Sequence, residues 1–194
     1  MTAAILSGES QALANFAAQA SPDGLLPPSL DVTTKTIGIS KDGVLYFYGD
    51  TGSAPGAAVD AIGGLILDID LVTRGEFSKF KPREYLNIRI QSPTPLLHYL
   101  LRLPAKPNLN EATGEMQHPW SIRSLLGALT ALDLQASAVK IEAKRGREAT
   151  FIQVSLDPVG EQRVIEPSIG PSRQDLEEAI DTCRRSLGLE PLFI

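Results

Sequence analysis

Cysteine is almost missing from this sequence: Cys183 stands alone among 194 residues, which excludes an internal disulfide framework and leaves a thiolate metal site without partners. Its place on the apolar side of a predicted helix makes it a core residue. Histidine is nearly as scarce. His98 and His118 show no HxH or HExxH spacing, so neither a metal nor a cofactor is expected, and no pairing with a nucleophile can be picked out. The phosphate-cradling patterns GxxxxGK[ST] and GxGxxG are absent. Long apolar runs are missing too. Ala61 to Leu67 is far short of the roughly 20 residues a spanning helix needs, so no membrane is expected. The start, MTAAILSGESQALANF, lacks a basic region followed by a sustained apolar one, which points to a cytoplasmic protein.

What is present is an ordinary folding composition, 43% hydrophobic and 21% charged, with a formal charge of −5. That sign alone speaks against a polyanionic partner, because such binding rests on phosphate neutralisation. The distribution says otherwise. Residues 1–60 carry a net −4 and residues 166–194 a net −3, whereas residues 61–165 carry +2 and residues 74–106 carry +5.

The hydrophobic pattern divides the chain into three parts. Residues 1–60 predict a short helix with Ile5, Leu6, Leu13 and Phe16, followed by a β-hairpin arm, Thr33–Ser40 and Val44–Gly49 around Lys41-Asp42-Gly43. The loop-like stretch DTGSAPGAAVD, residues 50–60, links the arm onward. Residues 61–160 predict five strands, Gly64–Thr73, Glu84–Ser92, Leu96–Leu103, Ser137–Lys144 and Ala149–Asp157. A helix after Pro119, N-capped by Ser121, lies between the third and fourth. Gly63-Gly64 marks a bulge or a close backbone approach. Residues 161–194 predict a C-terminal helix opened by a Ser172/Asp175 capping box and ended by Gly188. The fold class is therefore mainly β with flanking helices: a five-stranded OB-like Greek-key barrel, in the order β-β-β-α-β-β.

In such a barrel the turns between strands one and two and between strands four and five flank the binding face. Both are basic here. The first carries Arg74, Lys79, Lys81 and Arg83 among Phe77, Phe80 and Tyr85, and the second carries Lys144, Arg145 and Arg147 around Gly146. Cations neutralise phosphates and aromatic faces stack on exposed bases, so the two kinds of residue together suit a single strand of nucleic acid. Alternation along strand two turns Tyr85, Asn87, Arg89 and Gln91 away from Leu86, Ile88 and Ile90. Arg89 thus lies on the floor of the face, which His98 and Arg102 extend. The expectation is that the two basic turns meet at one rim.

Three phrases, GGLILDIDLVTRGEF, REYLNIRI and SAVKIEAKRGREATFIQVSL, give residues 62–160 a pattern that resembles the OB-fold family of single-stranded DNA-binding proteins. The chain lacks that family's Gly/Pro/Gln-rich linker and acidic C-terminal tip. The resemblance implies sequence-tolerant binding of single-stranded DNA or RNA, a homo-oligomer (dimer or higher), no catalysis, and roles in replication, repair or recombination. Two other readings compete. An OB-like module that binds protein within a larger complex would use the arm and the acidic tail. An aspartic protease would use Asp50-Thr51-Gly52-Ser53, but Gly49 precedes that tetrapeptide and no second copy exists.

Overall fold

The alternation in the middle of the chain produces long strands that share one sheet. The computed structural model describes residues 32–48, 55–75, 81–147, 149–157 and 168–193. The predicted N-terminal helix and the Asp50-Thr51-Gly52-Ser53 tetrapeptide lie outside them. In chain order the elements are β1 (Thr33–Ile39), β2 (Leu45–Tyr48), β3 (Pro55–Val59), β4 (Ile62–Arg74), β5 (Arg83–Gln91), β6 (Leu97–Pro104), β7 (Asn108–Leu109) and β8 (Met116–Gln117). Helix α1 (Trp120–Thr130), β9 (Ala138–Arg145), β10 (Thr150–Asp157) and helix α2 (Arg173–Ser186) follow. The protein is mainly β, with two helices among the described residues.

Eight strands form a curled sheet in the order β10-β9-β4-β5-β6-β1-β2-β3, and β7 and β8 pair separately. The five expected strands are all present, but the sheet is wider than a five-stranded barrel. The hairpin β1–β2 is not a detached arm: β1 runs parallel to β6, with Thr33 beside Leu97 and Ile37 beside Leu101. The stretch expected to be a linker contains β3, which pairs antiparallel with β2. The segment after Pro104, expected to be slack, carries the β7–β8 ladder. All described residues belong to one compact unit, Val32–Ile194.

The curl has a local cause in β4. Leu65 pairs with Ala138 of β9 on one side and with Gln91 of β5 on the other, so the strand changes partners at that residue. Gly64 makes the corner possible. At φ +145° it occupies a region that side chains avoid, and a Cβ there would lie 1.8 Å from the Gln91 carbonyl oxygen. A register shift follows between Ile66 and Asp68, where a bulge bends the strand further.

Beyond the corner no strand among the described residues pairs with β4 on its β9 side, and α2 serves that edge. Arg184 donates from Nη1 to the Ile69 carbonyl oxygen at 2.9 Å and also to Asp68 Oδ1. The helix opens on the predicted capping box: Ser172 Oγ accepts from the Asp175 N–H and Asp175 accepts from the Ser172 N–H. Ser172 Oγ also donates to Asp175 Oδ2, and this bond first, then the one from the Ser172 N–H, holds the Asp175 carboxyl below its usual range. Helix α1 starts differently from the expectation. Pro119 is its N-cap, without a side-chain cap bond, and Ser121 lies inside the helix.

One apolar cluster joins the sheet and both helices. Leu86, Ile88, Ile90, Leu101, Ile141 and Val154 meet Leu125, Leu129, Ile180 and Cys183, all fully buried. Each such side chain contributes about 1.5–3 kcal/mol by leaving water. Phe193 packs against the same cluster, tied down by Asp181, whose carboxylate accepts from the Leu192 and Phe193 N–H groups. No helix among the described residues is long and apolar enough to cross a membrane.

Candidate nucleic-acid interface

Because alternate residues of β5 enter the core, the others collect on the opposite face together with their cross-strand neighbours. Asp70 of β4, Asn87 of β5 and Arg102 of β6 stand in one row, and Asp68 lies opposite Arg89. The next row contains Val72, Tyr85 and Pro104. Arg74 and Arg83 face each other at the end of the β4–β5 ladder, both exposed. Like charges directly opposite destabilise a sheet unless an anion relieves them.

Two tyrosines that sequence reasoning left in the arm extend this face. Tyr46 stands opposite Gly38, where an added Cβ would lie 2.8 Å from its Cζ and hydroxyl, so glycine is what lets the ring cross β1. Tyr48 lies beside it with ring centroids 5.3 Å apart. Burial first, and then a hydrogen bond with Tyr46, push the Tyr48 phenol up to about 12, so it is neutral at physiological pH. Burial and the nearby Arg74 lower the Arg102 pKa. Arg102 is held in place by Nε donation to Asn87 Oδ1 at 3.2 Å. Asn87, expected to be an outward floor residue, is 7% exposed and serves as this support.

The expected site residues fall into separate groups. Arg74, Arg83, Tyr85 and Arg89 share the face just described, and Lys81 is exposed beside it. Phe77, Lys79 and Phe80 lie outside the described residues. Along β4 the two basic turns leave opposite ends of the strand, yet Arg145 lines a cleft together with Pro104, the cross-strand neighbour of Tyr85. With β9 antiparallel to β4 and Ile141 opposite Ile62, residues 144–147 project past the start of β4, whereas Arg74 ends it.

The second turn has its own neighbours. Arg145 donates to the Lys41 carbonyl and to Asp42, and Thr150 Oγ1 donates to the same carbonyl, so the β1–β2 turn rests on the β9–β10 hairpin. Lys144 approaches Glu142 at 3.7 Å. Arg147 is exposed. His98 is half-buried on β6, opposite Gln91, an ordinary strand position.

Chemically, the face offers flat aromatic surfaces, planar guanidinium groups and a fixed amide. Groups of these kinds are able to pair with anions and to stack on flat rings. Compared with known proteins, the chain matches no family model, no curated protein and no solved structure.

Proposed function

We propose that the chain binds single-stranded nucleic acid, DNA in the first instance, with little sequence preference, and that it serves replication, repair or recombination. In this reading β4, β5, β6, β9 and β10 are an OB-like barrel, enlarged by β1, and the ligand lies across the outer face of β4, β5 and β6. The order β10-β9-β4-β5-β6 supports it, because it keeps the first predicted strand between the second and the fourth. Assembly into a homo-oligomer belongs to the same proposal.

One observation carries the reading: Tyr46, Tyr48 and Tyr85 lie among Arg74, Arg83, Arg89 and Arg102 on the sheet face turned from the core. Stacking contributes about 1–3 kcal/mol per base and tolerates any base, while the arginines neutralise phosphates. Asp68 is paired with Arg184, and Asp70 leaves the positive charge of this face to the arginines of β5 and β6 and to the Arg74–Arg83 end.

Anisotropy of labelled oligo-dT across a salt series tests the proposal. Affinity should fall linearly on logarithmic axes as salt rises, and Arg74→Ala with Arg83→Ala should flatten the slope. Oligo-U in the same assay compares RNA with DNA. Absence of binding at low salt would refute the proposal.

A further inference from the structure

Trp120 is the chain's one tryptophan, and 40% of it is exposed at the start of α1. It lines two clefts of about 490 and 470 Å³, which also share Ala149. The first cleft holds Lys41, Asn108 and Arg145, and the second holds Arg123, Arg147 and Phe151. No carboxylate lines either cleft among the described residues. Of the lining cations, Arg145 pairs with Asp42 and Arg123 feels Asp175 through space.

An indole presents a large flat face and a polar edge, the combination enriched at interfaces. Here Arg123 stacks on one face, its Cζ 4.7 Å from the ring centroid, and is fixed there by Nε donation to the Ile169 carbonyl at 3.1 Å. A guanidinium held on one face leaves the other for a second flat group. Arg145 and Asp42 are side chains 57% and 85% exposed, a pairing in open solvent that a phosphate can replace at little cost.

The clefts also join the face already described. Pro104 lines the first cleft and is the cross-strand neighbour of Tyr85. We infer that the same single strand leaves the tyrosine face at Pro104 and continues into these clefts, where a base stacks on Trp120 and Lys41, Arg145 and Arg147 take its phosphates. This rests on the function proposed above and adds a second contact region, built around the turn that the strand register separates from the first.

The single tryptophan makes the inference directly measurable. Oligo-dT of about 15 nucleotides, long enough to cover both regions, is titrated into the full chain while tryptophan emission and anisotropy are read together. Emission should be quenched in step with binding. Trp120→Ala should weaken binding about tenfold, Trp120→Phe much less, and Lys41→Ala with Arg145→Ala should lower the salt dependence. Binding with unchanged emission, or full affinity in Trp120→Ala, overturns the inference while leaving the tyrosine face intact. Failure of any oligonucleotide to bind by anisotropy removes both.

Discussion

Arg102 donates from Nε to Oδ1 of Asn87 at 3.2 Å, joining β6 to β5 on the face turned away from the core. The bond fixes the guanidinium plane while leaving its Nη groups for an incoming phosphate or base. Charge-assisted contacts of this kind contribute about 1.5–3 kcal/mol, so Arg102→Ala should weaken oligo-dT binding by about tenfold or more and reduce the salt slope by about 1. Arg102→Lys should keep the slope but lose affinity, because an ammonium lacks the planar fork. Salt-series anisotropy on the three proteins checks both.

Gly64 and the Gln91 carbonyl are in closest approach where β4 changes partners. Alanine there meets both a forbidden φ and a backbone oxygen that cannot move without breaking the β4–β5 ladder. Gly64→Ala should cost roughly 3 kcal/mol or more in urea denaturation. Gly114 is the control: its φ is +71° with nothing within 4 Å of an added Cβ, so Gly114→Ala should cost only about 1–2 kcal/mol.

The contrast between these glycines parallels what the sequence can and cannot tell. Leu86, Ile88 and Ile90 alternate with polar residues, and that local pattern reveals β5 and its core face. Pro55–Val59 has no such alternation: it is short and rich in small residues, and β2 makes it a strand by pairing with it. Tyr46 and Tyr48 were invisible as site residues because their position depends on β1 running parallel to β6, a pairing between segments some sixty residues apart that no local signal encodes. Trp120 reads as a helix opener for the same reason. Its neighbours come from two segments remote in sequence, Lys41 from the β1–β2 turn and Arg145 and Phe151 from the β9–β10 hairpin. Ser172 and Asp175, by contrast, lie three positions apart in one turn, and their capping box is legible directly.

Cys183 lies in the core shared by α2 and the sheet, and burial pushes its thiol up to about 12. Only the thiolate reacts appreciably with disulfide reagents, so the native protein should leave DTNB unreacted at about pH 8. One thiol should appear on unfolding in guanidinium. Rapid native labelling would show that α2 separates from the sheet on the timescale of the assay.

Asp70 is the acidic member of the row that contains Asn87 and Arg102, and its Oδ1 is buried without a hydrogen-bond partner. Burial, followed by repulsion from Asp68, raises its pKa in the folded chain, against lowering contributions from Asn87, Arg89 and Arg184. A raised folded pKa means that the fold favours the protonated carboxyl. This stabilisation is complete below the unfolded value of about 3.9 and is lost as pH rises through the folded pKa. Asp70→Asn removes the ionisation, so the variant should be more stable than wild type at neutral pH, with the difference shrinking as pH falls through that range. Urea midpoints from about pH 4 to about pH 7 measure it. The same substitution deletes a negative charge beside Arg89 and Arg102 and should tighten oligo-dT binding. A variant less stable than wild type at pH 7 would mean that the carboxylate's interaction with Asn87 outweighs the cost of burying its charge.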